Sequence, residues 1–342
     1  MRSYHVIKKE IIFVLLFIFS CLRCSLFTSP DDKEIIQTQN PIIAAVGLFT
    51  ENGIIRNKLI LFDYYNPKYY KIINDTTYWP VCPVVSHNNR KIIFCDPKHA
   101  ALDYGDLIVI YDIYSNTFKT YGDSEPCMLY GIALLWNPDD TGFYFTFYPA
   151  WGFQHVLFFD IATRTVKTIS QANFTRVFPV DVIDADTIIV SFYDSLMKSQ
   201  PPGLYFMDSQ GNYISRINNP HLYYSRSFGL WIPKVDWNKD LKLLVYNEYY
   251  TASSGMGVTK ISVTNLDGSY YKNLTTEEYY DSHPIWSPDG KSILFQRCGA
   301  GLNPEEWYNS KIMKIDYRTG TVTEFINQNM IPNCIGLSFW GF

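Results

Sequence analysis

A chain of 342 residues, 47% of them apolar and 18% charged, can bury a large core; this excludes a disordered or fibrous protein and leaves one large all-β domain or two ordinary ones. The formal charge of −4 comes from mixed signs without long runs, so the basic stripe that neutralises phosphates is missing and nucleic acid is not an expected partner. Aromatic residues reach 17%, with 27 Tyr and 23 Phe, a bias that suits pleated, half-buried strands and aromatic-lined surfaces.

In chain order, the first expected element is a leader. Arg2, Lys8 and Lys9 precede an apolar run at 11–19, the layout of a signal sequence and too short to span a bilayer comfortably. The run ends in Ile18-Phe19-Ser20-Cys21, which resembles the bacterial lipobox, although Phe19 stands where a small residue is usual. We expect residues 1–20 to be a signal peptide, Cys21 the lipidated residue and 21–40 a tether. An ordinary secretory signal or an uncleaved anchor are the other readings of the same residues. No cysteine pair beyond Cys21 and Cys24 has C-x-x-C spacing, and that pair belongs to the anchor, so no metal site or cofactor is expected. Cys82 and Cys95 flank a predicted hairpin and would face each other only across a two-residue turn at Asn88 and Asn89.

From residue 41 onward a repeat runs to the end of the chain. Apolar runs ending in Asp or Asn recur at 59–63, 108–112, 156–160, 204–208, 261–265 and 312–316. Each is followed by a turn signal, such as Asn66-Pro67, Asn116, Gly211, Asp267-Gly268 or Gly320, whose residues tolerate the backbone a hairpin needs. A short segment with apolar residues three apart comes next, as in Phe118 and Tyr121 or Val166 and Ile169. Between these units lies a second hairpin, clearest at 284–295, where Pro288 presets φ and Gly290 takes the left-handed position. Degraded copies stand at 83–94, 136–145, 180–190 and 237–245, with Trp136, Trp237 and Trp286 expected as core plugs.

Four short antiparallel strands per period make the unit of a β-propeller blade. The chain enters at 42–50 on a strand that behaves as the second of a blade and leaves at 334–342 on one that behaves as the first. The expected fold is therefore an all-β, six-bladed propeller over 41–342, with four-stranded antiparallel blades and closure by pairing of the N- and C-terminal strands, which removes an open sheet edge.

The string Pro284-x-Trp286-Ser287-Pro288-Asp289-Gly290-Lys291-x-Ile293-x-Phe295, with Leu266-Asp267-Gly268 and Leu274-Thr275 before it, resembles the TolB-type propeller repeat. That resemblance implies a periplasmic or secreted six-bladed propeller used for protein or ligand binding. TolB-type proteins carry an α/β domain ahead of the propeller, whereas about 20 residues separate Cys21 from the first strand here, a departure that weighs against the Tol role itself.

Because strands alternate direction, the tight turns lie on one face of the propeller and the long insertions, near 95–106, 193–203, 247–259 and 297–310, on the other. Long loops on a compact domain tend to carry function. Trp79, Trp151, Tyr250, Trp307 and His283 are the candidate ligand contacts on that face, an aromatic rim suited to a sugar ring or a peptide. Own-loop packing is the bland alternative for each. His99, His155, His221 and His283 come from separate blades without ligand spacing and read as ordinary histidines. Asp181, Asp236 and Asp281 could meet in the central channel as acid and base, although solvated carboxylates are the commoner use of such positions. The expected function is an extracytoplasmic, membrane-anchored, monomeric module of the periplasm or cell surface that binds a protein or glycan, with a polysaccharide-acting lyase or hydrolase on the same fold as the alternative.

Overall fold

The computed structural model describes residues 40–75, 77–97, 107–121, 134–150, 153–170, 177–192, 203–222, 235–251, 257–276, 278–299, 310–331 and 334–341. These residues form strands joined by turns, among them a 3-10 turn at Gln328–Met330. In chain order the strands are β1 (Ile42–Glu51), β2 (Ile54–Asp63), β3 (Tyr70–Ile73), β4 (Val81–Val85), β5 (Lys91–Asp96), β6 (Leu107–Asp112), β7 (Thr117–Tyr121) and β8 (Leu135–Trp136). There follow β9 (Gly142–Ala150), β10 (Phe153–Asp160), β11 (Thr165–Thr168), β12 (Val177–Val182), β13 (Thr187–Phe192), β14 (Gly203–Asp208), β15 (Tyr213–Arg216) and β16 (Val235–Asn238). The last are β17 (Leu243–Thr251), β18 (Gly257–Thr264), β19 (Tyr271–Asn273), β20 (Tyr280–Trp286), β21 (Ser292–Cys298), β22 (Lys311–Asp316), β23 (Val322–Ile326) and β24 (Cys334–Gly341).

Four sheets have four strands, in the orders β24-β1-β2-β3, β4-β5-β6-β7, β8-β9-β10-β11 and β12-β13-β14-β15. A larger sheet consists of two further antiparallel runs, β16 to β19 and β20 to β23, linked by one parallel bridge between Thr259 and Tyr280. The pairing expected between the chain's two ends is present: β24 runs antiparallel to β1, with Ala45 opposite Phe339 and Gly47 opposite Leu337.

The inner strands of these sheets, such as β1, β5 and β13, are buried on both faces, which is why they read as continuous apolar runs and not as alternating patterns, whereas outer strands such as β11 and β15 are largely exposed. Along β1, Ile43 and Ala45 pack with Ile285, Leu294 and Ile312 of the last unit. Their neighbours Ile42 and Ala44 point the other way, onto Val85, Ile92 and Tyr111 of the next unit, as the twofold side-chain period demands. Every sheet interface repeats this arrangement. Ile93 and Ile110 meet Trp136 and Phe143, Tyr144 and Val156 meet Ile188 and Met207, Ile189 and Leu204 meet Leu244 and Tyr246, and Val245 and Ile261 meet Trp286 and Ile293. Trp136 and Trp286 are buried and Trp237 packs against its cluster, as expected of plugs. The first strands also touch in sequence, β4 to β8, β8 to β12, β12 to β16, β16 to β20, β20 to β24 and β24 to β4.

The turns explain the polar half of the repeat. Each Asp or Asn ending a third strand accepts from main-chain N–H groups of its own turn: Asp63 from Tyr65 and Asn66, Asp112 from Tyr114 and Ser115, Asp160 from Thr163, Asp208 from Gln210 and Asn212, Asn265 from Tyr270, and Asp316 from Thr319. The first-hairpin turn is four residues long where its copies are best kept. Ser287 N–H donates to Ser292 O at 2.8 Å, and Gly290, at φ 65°, closes the inner turn onto Ser287 O. Ser86 to Lys91 repeats this with Asn89 at φ 55°, and Asn137 to Gly142 with Asp140 at φ 57°. The two-residue turn considered for Asn88 and Asn89 is therefore replaced by a longer one, and a bulge at 81–84 puts Val81 opposite Cys95. Cys82 does not face Cys95, and both are buried thiols.

Candidate functional site

Two faces can be compared. The turn face collects the hairpin ends, which lock neighbouring units together. Asp140, in the turn of β8 and β9, accepts from His87 and Asn88 N–H in the turn of β4 and β5, both at 2.9 Å, and its carboxylate also meets His87 Nδ1 at 2.9 Å. Gly290 sits so tightly on the turn of β16 and β17 that a Cβ there would lie 2.9 Å from Asn238 Nδ2.

On the loop face the structure shows some of the expected residues. Trp79 precedes β4 and is 38% exposed. Its N–H donates to Asp96 Oδ1 at 3.2 Å, and Asp96 is fully buried at the end of β5, so the indole rides on a fixed main chain. Tyr78 beside it packs on Phe94 and Phe118. The neighbouring β1–β2 hairpin leans on the same loop through Asn57 Nδ2, which donates to Pro80 O at 3.3 Å, and it carries exposed Ile54 and Ile55 near its Asn52-Gly53 tip. Tyr250 lies in β17 opposite Val258, its side chain outside the described residues. Trp151, Trp307 and Cys21 are also outside them.

His283 is half-buried in β20 at a bulge, with φ 53° and its Nδ1 3.0 Å from Ser282 Oγ. Cys82 has the same φ at the corresponding place in β4. Both precede a proline, which has no N–H to give a strand ladder and so marks a bulge. The shared X-Pro was the signal available in the sequence. The structure brings neither histidines nor aromatics of the expected set into one described constellation. His155 lies 3.4 Å from Ser170 Oγ, with burial pulling its pKa down, and His221 stacks on Tyr271 at 4.0 Å. Among the described residues no three His, Cys, Asp or Glu side chains are grouped to hold a metal.

The three carboxylates considered as acid and base have structural partners instead. Asp181 in β12 accepts from the N–H of Trp237 in β16 at 2.5 Å, and Asp236 in β16 accepts from the N–H of Trp286 in β20 at 2.6 Å. The two occupy one register position in successive units, one residue ahead of the strand pair Val182–Ile188 or Trp237–Leu244. Each therefore staples its first strand to the next. Asp281 is fully buried and held in a two-bond ion pair with Arg297, at 2.7 and 2.8 Å. Burial pushes its pKa up even though Arg297 opposes the shift. The Arg297 guanidinium lies 4.2 Å from the exposed Tyr279 ring centroid, a loop-face contact that the one-dimensional pattern did not disclose because Asp281 and Arg297 meet only across the β20–β21 ladder.

Sheets stacked through shared cores, with their first strands in succession, define an all-β protein of propeller type. Solved structures similar to it are TolB from Acinetobacter baumannii, with TM-score 0.61 and 16% identity over 83% of this chain and 63% of that one, and a putative TolB from Agrobacterium tumefaciens, with TM-score 0.58 and 13% identity over 88% and 94%. The chain thus spans less than two thirds of the Acinetobacter protein. An oligogalacturonate lyase from Vibrio parahaemolyticus gives a TM-score of 0.48 at 12% identity, over 86% of this chain and 81% of that one, and carries no weight between functional readings. No family model and no curated protein matches the sequence. At these identities the likeness shows a TolB-like propeller fold and nothing about activity.

Proposed function

We propose that the chain is a closed six-bladed propeller, exported and held at a membrane through Cys21, that binds a protein or glycan ligand on its loop face. The observation that carries this reading is the use made of the inner-strand carboxylates. Asp181 and Asp236 are committed to main-chain bonds between units and Asp281 to Arg297, so the residues best placed for acid–base chemistry hold a scaffold. Closure is supported by the β24–β1 pairing and by the core that joins the last unit to the first. Exported location is supported by the leader-like residues 1–20 and by the TolB-like fold. A rigid ring with one anchored, exposed Trp79 presents a binding surface at low entropic cost.

The test is a pull-down from membrane extracts, paired with a glycan array, using wild type, Trp79→Ala and the turn-face variant Lys239→Ala. Loss of about 2 kcal/mol in affinity on Trp79→Ala, with Lys239→Ala neutral, is the expected outcome for an anchor residue. The reverse pattern would place the ligand on the other face. Release of Cys21→Ser from the membrane fraction checks the anchor, and retention of that variant with lipid would refute it.

A further inference from the structure

A groove of about 270 Å³ opens on the turn face between the unit of β20 to β23 and that of β1 to β3, lined by Tyr64, Tyr65, Asp289, Lys291, Lys314 and Asp316 together with three hydroxyl residues. We propose that this groove binds one pyranose ring of a neutral sugar, free or at the end of a glycan chain. Tyr65 is 61% exposed, and its ring lies edge-on to buried Tyr64, with centroids 5.1 Å apart and planes at 67°. It offers a flat apolar surface whose few rotamers cost little to fix. The Lys314 ammonium, which also lines the groove, sits 4.8 Å from the Tyr64 centroid and 5.4 Å from that of Phe325, held as a donor over those two rings.

The acceptors are set by the repeat's own turn chemistry. Asp289 is held by the Ser287 hydroxyl at 2.6 Å and Lys291 N–H at 3.1 Å, and Asp316 by Thr319 N–H at 2.8 Å. Partial burial pushes the Asp289 carboxyl up, but the Ser287 and Lys291 contacts outweigh it, and Asp316 is held low by Thr319, so both remain charged acceptors. Exposed Thr321 and Thr323 add hydroxyls that can donate or accept. Two carboxylates and two ammonium groups leave the groove without net charge, which disfavours phosphate or a metal ion and suits a ligand rich in hydroxyls. Its size, below the roughly 300–1,000 Å³ of pockets that enclose drug-sized ligands, fits a single ring.

The site lies opposite Trp79 and stands independently of the loop-face reading. Saturation-transfer NMR on the full chain, with methyl glucoside, N-acetylglucosamine and galacturonate as probes, tests it. At least one neutral probe should receive saturation, and Tyr65→Ala and Thr323→Ala, both exposed positions, should weaken its binding about tenfold or more with the melting temperature unchanged, whereas Trp79→Ala should leave it intact. Absence of transfer to both neutral probes, transfer to galacturonate alone, or binding that survives Tyr65→Ala would overturn the assignment.

Discussion

Asp236→Ala removes the acceptor for Trp286 N–H and leaves that group facing a neighbouring strand inside the molecule. The bond is short, 2.6 Å, and its acceptor is a carboxylate; Trp286 is 5% exposed. A hydrogen bond to a charged group contributes about 1.5–3 kcal/mol, and orphaning a buried donor costs a similar amount. We expect a loss of about 2 kcal/mol, roughly a 30-fold drop in the folded-to-unfolded ratio. Asp236→Asn retains an oxygen acceptor without the charge and should recover about half. Urea denaturation followed by Trp fluorescence gives the midpoint, which should fall while the slope stays fixed. Asp181→Ala should behave alike through Trp237 N–H. Because Trp237 is adjacent to Asp236 in β16, the double variant should cost less than the sum of the two. If Asp236→Ala stays within about 0.5 kcal/mol of wild type, as an ordinary surface change would, the staple does not hold the units together.

Arg297→Ala strands the buried Asp281 carboxylate and should cost about 3–5 kcal/mol by denaturation, with the Arg297→Ala, Asp281→Asn pair milder than the single change. Asp208 is held below the ordinary carboxylate range by the Asn212 side chain, and Asp160 and Asp316 by the N–H groups of Thr163 and Thr319. Their stabilisation is complete above the unfolded value near pH 4 and is lost as pH falls through the lower folded values, so melting temperature should decline below about pH 4, and Asp208→Asn should flatten that limb. Deleting 334–341 should expose an edge of β1 and give a product that aggregates or is cut by protease at wild-type-resistant conditions; a monomer with an unchanged melting transition would refute the role given to β24.

The turn residues were legible because their function is local. Asp112 or Asp208 serves N–H groups two to four residues away, so every copy of the turn needs an Asp or Asn at the same phase. The plugs at Trp136 and Trp286 followed from the same phase. Asp181 and Asp236 look identical to channel-lining carboxylates in one dimension, since their partners lie 56 and 50 residues downstream and depend on how closely successive first strands approach. The bulge at Cys82 defeated the inference from turn length to side-chain facing, because one extra residue in a strand reverses which face each neighbour presents. The turn-face groove was hidden for a related reason. Tyr65, Asp289 and Lys314 come from three turns and strands of two units, and each reads alone as an ordinary exposed residue.

The path of the chain ahead of β1 relates the two surfaces to each other. Asn40 Nδ2 donates to Asp63 Oδ2 at 2.8 Å, Tyr64 N–H donates to Pro41 O, and Ile42 N–H donates to Asn89 Oδ1. Residue 40 is thereby fixed among the hairpin turns, beside Tyr64 of the groove and across the sheet from Trp79. An anchor at Cys21 would pull on the turn face, so a molecule tethered in this way presents its loop face away from the bilayer. The 18 residues between Cys21 and Asn40 reach at most about 65 Å when fully extended, which sets the farthest that the turn face of a chain anchored at Cys21 could stand from its anchor.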